Sequence, residues 1–134
     1  MAANKAVRFG PVALTTTTTT NILNPGTTTG GVGMPGTSGN LFFLLRHIRI
    51  TNKTTSAAQC ALWISTTGDN GAGKEFAFGG IASAGALTDG VSIPAQSYVD
   101  WYGLVRLDVA DFLVGGAGTA TALTFEAEGE VGVN

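Results

Sequence analysis

The clearest pattern in the chain is the alternation of apolar and polar residues within Leu41–Asn52. The apolar residues of one parity are Phe42, Leu44, Ile48 and Ile50. This period of two predicts a β-strand with one buried face. The first five positions of the run are all apolar, so we expect that end to be covered on both sides, as in a central strand of a β-sandwich.

The same alternation recurs further along the chain. A strand is predicted over residues 58–66, with Ala58, Cys60, Leu62 and Ile64 inward. A second is predicted over residues 98–107, with Val99, Trp101, Gly103, Val105 and Leu107 inward. A third is predicted over residues 121–131, with Leu123, Phe125, Ala127 and Val131 inward. Glycine-rich turns separate about eight short strands, and no helix is convincing. The predicted fold is all-β, an antiparallel β-sandwich that is jelly-roll-like.

Residues 1–40 have a different character. Residues 1–10 show no clear period, residues 9–14 can form a short edge strand, and six consecutive threonines at 15–20 either extend that strand or form a solvated spacer. Residues 24–40 contain six glycines and two prolines, which forbid regular structure. We therefore predict an extended Thr- and Gly-rich arm with the first short strands over residues 1–40, and a β-sandwich domain over residues 41–134. Deletion of the arm is expected to leave the sandwich folded.

Composition narrows the classes of function. Charged residues make up 12% of the 134-residue chain, about half the usual share, and a net charge of −2 gives no electrostatic reason to expect nucleic acid or an anionic membrane. The single Cys60 rules out an internal disulfide framework and a multi-cysteine zinc site. No apolar run is long enough to span a bilayer, and no secretory signal is expected, so we predict synthesis in a cytoplasm.

Charge order along the chain is uneven. No Asp or Glu precedes Asp69, and no Lys or Arg follows Arg106. Basic strands pairing with acidic strands inside one sheet would explain this order. The alternative is a bipolar surface that suits head-to-tail packing of identical subunits. We favour the first explanation.

Several short motifs suggest chemistry. Residues 68–74 have the spacing of a phosphate-binding loop, but Glu75 stands where Ser or Thr would bind magnesium, and no helix follows. His47 and Cys60 could form a base and nucleophile oriented by Asp100 or Asp108, but their parities place them on opposite faces. A row of carboxylates, Glu126, Glu128 and Glu130, is explained as well by a solvated strand face as by a metal or sugar site. We predict no catalytic, metal or cofactor site.

Three stretches carry a resemblance to a known group of proteins. They are residues 46–54 (Arg-His-Ile-Arg-Ile-Thr-Asn-Lys-Thr), 61–65 (Ala-Leu-Trp-Ile-Ser) and 93–101 (Ile-Pro-Ala-Gln-Ser-Tyr-Val-Asp-Trp). Over about residues 41–132 the chain resembles small β-sandwich structural proteins of tailed bacteriophages, although Gln96 replaces the usual turn glycine. The resemblance implies a sandwich without enzymatic activity, of the capsid decoration (cement) or head-fibre type, and often trimeric.

The leading expectation is a capsid decoration protein that binds and stabilises the outer surface of the phage head. Its partners would be the major capsid protein and further copies of itself, with a trimer favoured, and neither nucleic acid nor membrane. The predicted subunit or capsid contacts are Arg8, Phe9, Ile22, Leu23, Arg46 and Arg49. The first alternative is a head-fibre, head–tail or tail-associated protein. The second is a carbohydrate-binding module that uses exposed Trp63, Tyr98 and Tyr102 as a stacking platform.

Overall fold

The computed structural model describes residues 4–27, 41–83 and 85–133, which form antiparallel β-sheets packed together. The strands are β1 (Lys5–Ala13), β2 (Asn21–Leu23), β3 (Leu41–Asn52), β4 (Ala58–Ser65), β5 (Glu75–Ala77), β6 (Ile81–Ser83), β7 (Ala86–Asp89), β8 (Val91–Ile93), β9 (Tyr98–Leu107), β10 (Phe112–Ala117) and β11 (Leu123–Val133), with a 3₁₀ turn at Pro25–Thr27. The all-β antiparallel sandwich predicted from the sequence is confirmed.

Strands from the start of the chain pair with strands from its end. The first sheet has the order β1-β11-β3-β9, and the second has the order β2-β10-β4-β5, with β8 also paired to β4. Thus β1 pairs with β11, β2 with β10, β3 with β9, and β4 with both β5 and β8. The short strands β6 and β7 form a separate hairpin. The pairing is therefore nested, as in one long hairpin, and successive strand pairs alternate between the first and the second sheet.

Apolar side chains from both sheets fill the space between them. Phe9 and Phe43 lie with their ring centroids 4.9 Å apart, and both side chains are fully buried. The same core contains Ala58, Cys60 and Leu62 from β4 and Leu123, Phe125, Ala127 and Val131 from β11. The predicted inward parities of these two strands are therefore confirmed.

A β-bulge changes which side chains of β3 face the core. Glu128 lies opposite His47, but the next residue, Gly129, lies opposite Leu45, so one residue of β3, Arg46, has no counterpart on β11. Such an extra residue reverses the alternation of faces along a strand. The core residues of β3 are Phe43, Leu45, Ile48 and Ile50.

The prediction that Phe42 and Leu44 face inward is consequently wrong. It assumed unbroken alternation along β3. Leu44 is partly exposed and lies opposite Glu130 and Arg106. Phe42 lies on the same outer side, with the Arg106 guanidinium carbon 3.9 Å from its ring centroid.

The N-terminal part of the chain belongs to the sandwich. β1 pairs with β11 along its length, and it places Phe9 in the core. β2 likewise contributes Ile22 and Leu23 to the core. A boundary at residue 41 therefore divides one folded unit, and the expectation that a chain without residues 1–40 stays folded needs correction. Residues 28–40 of the predicted arm lie outside the described residues.

Candidate functional site

The outer face of the second sheet is covered by the chain itself. Trp63, Ala61 and Val114 are buried there beneath partly buried side chains that include Ala82 and Leu87 of the β6–β7 hairpin. Trp63 is only 1% exposed, so its expected role in a sugar-stacking platform is wrong. Sequence alternation placed Trp63 outward from its sheet, but could not show that a hairpin from another part of the chain lies over it.

The threonine run completes this cover. Thr18 is fully buried, and its backbone N–H donates to the Gly85 carbonyl at 2.7 Å. Thr17 forms a β-bridge with Ala86, and the Thr15 carbonyl accepts from the backbone N–H of Ala117 on β10 at 2.8 Å. The run does not extend β1. The side chains of Thr15, Thr16, Thr17 and Thr19 are exposed, as in the predicted solvated spacer, but the backbone of the run ties the hairpin to the second sheet.

The outer face of the first sheet is the candidate functional surface, and we call it the open face. It is formed by the outward side chains of β1, β11, β3 and β9, which include Arg8, Glu126, Glu128, Glu130, Arg46, His47, Arg49, Tyr98, Asp100, Tyr102, Leu104 and Arg106. Tyr102 is 70% exposed and Leu104 61% exposed. The open face thus combines charge with exposed apolar area, a composition typical of interaction surfaces.

Opposite charges on the open face pair across strands. The Arg46 guanidinium donates two hydrogen bonds to Glu130, the shorter at 2.6 Å. Arg8 lies 4.0 Å from Glu126. β11, which carries the acids, lies between β1 and β3, which carry these cations. The prediction of basic strands pairing with acidic strands inside one sheet is confirmed.

Asp100 of β9 organises the most ordered cluster on the open face. Its carboxylate accepts from Arg49 Nε at 2.8 Å and from a second Arg49 nitrogen at 3.1 Å. It also accepts from His47 Nε2 at 2.8 Å. Arg49 lies over the Tyr98 ring, 4.0 Å from its centroid, and the His47 ring stacks on Tyr102 at 4.6 Å. The planar side chains of His47 and Arg49 on β3 are thereby joined to the two tyrosines and Asp100 on β9 in one layer.

Hydrogen bonding from Arg49 holds the pKa of Asp100 below its ordinary value, with a smaller contribution from His47. Burial opposes this shift because it disfavours the charged carboxylate. A depressed folded-state pKa means that the ionised carboxylate stabilises the fold. That stabilisation is complete above the unfolded-state pKa of about 3.9 and is lost as the pH falls through the folded-state pKa.

Acid titration is therefore expected to separate the wild type from Asp100→Asn. Wild-type unfolding free energy should decrease as the pH falls below about 4, and the variant, which has no carboxylate to protonate there, should show a shallower decrease. Urea unfolding at a series of pH values measures both slopes. Equal slopes would show that the Arg49 and His47 contacts do not stabilise the carboxylate.

Two shallow grooves run along the open face. One, of about 400 Å³, lies between β3 and β11 and is lined mainly by His47, Arg49, Thr51, Thr124, Glu126 and Glu128. The other, of about 560 Å³, lies against β1 and is lined mainly by Val7, Arg8, Arg46, His47, Glu128 and Glu130. Both contain cations and carboxylates. Their mixed charge suits an extended polar contact better than a small apolar ligand.

The predicted contact residues divide into two groups. Arg8, Arg46 and Arg49 lie on the open face, with side chains 64%, 56% and 43% exposed. The other three, Phe9, Ile22 and Leu23, are fully buried in the core. Their side chains are not on the surface of the folded chain, which corrects that part of the expectation. In a segment without clear periodicity, the sequence does not indicate whether an apolar side chain is buried in the core or contacts a partner protein.

The glycine-rich turn after β4 is closed by its own side chains. Lys74 donates to both carboxylate oxygens of Asp69 at 2.8 Å, and this contact is the main cause of the lowered pKa of Asp69. Glu75 begins β5 and accepts from the Gly73 backbone N–H. The lysine of the apparent phosphate motif is paired with a carboxylate, and a strand follows in place of a helix. The turn thus lacks the helix N-terminus of a phosphate-binding loop.

His47 and Cys60 lie on opposite sides of the first sheet. Cys60 is in the core between the sheets, where burial raises the pKa of its thiol to about 12. His47 bonds Asp100 on the open face, so of the proposed triad only this pair meets. A buried thiol with a raised pKa is a poor nucleophile at neutral pH.

Asn52 has a role that the sequence did not reveal. Its amide is buried and donates to the carbonyls of Ser56 at 2.8 Å and Ile93 at 3.1 Å. Its side-chain oxygen accepts from the backbone N–H of Thr54 at 2.9 Å. Asn52 therefore fastens the turn after β3 to the end of β8.

Wider searches add no relative. No protein-family description, curated protein or solved structure matches this chain. Among residues 4–27, 41–83 and 85–133, no group of three or more His, Cys, Asp or Glu side chains is placed to hold a metal ion. The described residues also include no helix with the length and hydropathy needed to cross a membrane.

Proposed function

We propose that this protein is a structural protein of a bacteriophage virion, and specifically a capsid decoration protein that binds the outer surface of the head. The observation that carries the proposal is the contrast between the two sheets. The second sheet is covered by a hairpin and the threonine run, whereas within residues 4–27, 41–83 and 85–133 no comparable cover lies over the first, which presents the open face. A rigid sandwich with one broad polar and aromatic face suits attachment to a shell.

Fold topology supports this proposal at a general level. The nested pairing of first strand with last and second with second-to-last is the strand order we take as jelly-roll-like, an architecture that occurs in viral capsid proteins as well as in lectins. The bacteriophage role itself comes from the resemblance of residues 46–54, 61–65 and 93–101. The proposal places the contact on the open face, since its cations are exposed and the predicted apolar contacts are not.

Attachment to heads should depend on the open face. Arg8→Glu is expected to weaken binding to purified heads of the phage that encodes this chain by about tenfold or more. The Arg8 side chain is 64% exposed, and its distance of 4.0 Å from Glu126 is too long for a hydrogen bond, so it is accessible to a partner. Co-sedimentation with heads measures the change. The matched control is Lys53→Glu, an identical charge reversal at an exposed turn residue, which should bind like the wild type.

Other outcomes would redirect the proposal. Binding to tails or fibres instead of heads would favour the head-fibre, head–tail or tail-associated alternative. Tyr98 is 51% exposed and Tyr102 70% exposed, and both lie on the open face, so the carbohydrate-binding alternative keeps two of its three aromatic residues. Binding to a soluble glycan, without affinity for any virion part, would favour that alternative. A gene position away from phage structural genes would count against the virion role.

A further inference from the structure

The outer edge of β9 is exposed to pairing. β9 ends the first sheet in the described part of the chain. The Ser97 carbonyl accepts from the Asn52 backbone N–H at 2.8 Å, so the backbone at position 97 points toward β3. Because backbone groups alternate along a strand, those of Tyr98, Asp100 and Tyr102 point away from β3. Unpaired groups of this kind form a template for a further strand.

The two edges of the first sheet differ in how they are protected. Both edge strands have a register shift, between Phe9 and Val12 in β1 and between Tyr102 and Val105 in β9. β1, at the opposite edge, also contains Pro11, a residue that discourages strand addition. β9 contains no proline over ten residues. Three of the described large apolar side chains that are more than half exposed belong to β9, and the fourth is Ile81. The edge that is open for hydrogen bonding is thus also the edge with exposed apolar area.

We propose that β9 pairs antiparallel with β9 of a second copy about a two-fold axis at Gly103. The pairing joins the two four-stranded first sheets into one continuous sheet. In this register Tyr102 lies opposite Leu104 of the second copy, and Asp100 lies opposite Arg106 of the second copy. Residues directly opposite share a face of the sheet, so apolar meets apolar and acid meets base on both sides of the axis.

This register is more complementary than the nearest alternative. An axis at Tyr102 places Asp100 opposite Leu104 of the second copy, which sets a carboxylate against an apolar side chain. It also leaves Arg106 opposite Tyr98. With the axis at Gly103, Asp100, already bonded by Arg49 and His47, lies beside Arg106 of the second copy, which already donates to its own Asp108, so the contact between copies would extend existing ion pairs. The inference does not depend on the virion role, and a two-fold dimer differs from the trimer that the bacteriophage resemblance implies.

Light scattering on the purified chain tests the proposal. The wild type should have twice the chain mass of 13.6 kDa, and Leu104→Lys should have the mass of a single chain. Ile81→Lys is the matched control, because Ile81 is 62% exposed and Leu104 61% exposed, yet Ile81 lies on the β6–β7 hairpin. Circular dichroism confirms that each variant folds. A wild-type monomer or trimer, or equal dissociation of both variants, overturns the proposal.

Cysteine cross-linking tests the register. Opposite residues in a hydrogen-bonded antiparallel pair have Cα atoms about 5.5 Å apart, within the range of a disulfide. Under mild oxidation, Tyr102→Cys mixed with Leu104→Cys should form a disulfide-linked dimer, and neither variant should do so alone. Cys60 is buried and does not compete. A disulfide in Tyr102→Cys alone, or none in the mixture, overturns the pairing about Gly103.

Discussion

A Leu45→Ala variant is expected to lose about 2–5 kcal/mol of unfolding free energy. Leu45 is fully buried in the core between the sheets. Removing its branched end discards buried apolar surface and leaves a cavity that the close-packed sheets fill only in part. Urea unfolding at neutral pH measures the loss from the shift in midpoint at constant slope.

The adjacent leucine supplies the control. Leu44 has the same side chain, but it lies on the outer side of β3 and is partly exposed. Leu44→Ala should therefore cost no more than about 1 kcal/mol, in the range of exposed positions. Unbroken alternation along β3 would give the opposite order. If Leu44→Ala is the more destabilising change, the bulge at Arg46 is misplaced.

Removal of residues 1–14 is expected to leave a chain with no cooperative unfolding transition. The deletion takes away all of β1, together with the buried side chains Phe9 and Leu14. Loss of a buried Phe alone costs about 3–5 kcal/mol, and the whole strand also satisfies backbone groups of β11. Together these losses exceed about 5 kcal/mol, the lower end of the range of unfolding free energy for a small domain. Circular dichroism during a urea titration detects the loss.

Adding the missing strand as a peptide tests whether the loss of cooperative unfolding results from the loss of β1. A synthetic peptide of residues 4–14 should restore the cooperative transition, because it can pair with β11 by strand addition. The same peptide with Phe9→Asp should fail, since it carries a charge into the core. A truncated chain that unfolds with the wild-type midpoint would show that β1 is a dispensable arm.

The sequence predicted those features that depend on local alternation. The inward faces of β4 and β11 followed from period-two patterns within each strand, and so did the choice of an antiparallel sandwich. The bulge in β3 did not follow, because it exists only in relation to the register of β11. Only the second half of β1 was predicted, as a short edge strand over residues 9–14, and its first half was missed for a related reason. Its first six residues have no apolar period, and its conformation depends on pairing with a strand more than a hundred positions away.

The candidate site was predictable in its parts only. The sequence analysis named all five residues of the cluster, but for three unrelated roles: His47 and Asp100 as parts of a triad, Arg49 as a contact, and Tyr98 and Tyr102 as a stacking platform. Their assembly depends on the register between β3 and β9, which places Arg49 directly opposite Asp100. For Trp63, the sequence predicted the correct face of the strand but not the exposure of the side chain, which depends on the hairpin that covers it.

The position of β11 has a consequence for the order in which the protein folds during synthesis. β11 is the last strand in the chain, yet it lies between β1 and β3. Until β11 has been synthesised, β1 lacks its partner strand, and the sheet that encloses Phe9 and Phe43 is incomplete. Long loops must close before these contacts form, which slows folding. During this period β1 has no partner strand and β3 can pair only with β9, so binding by a chaperone would limit misassembly.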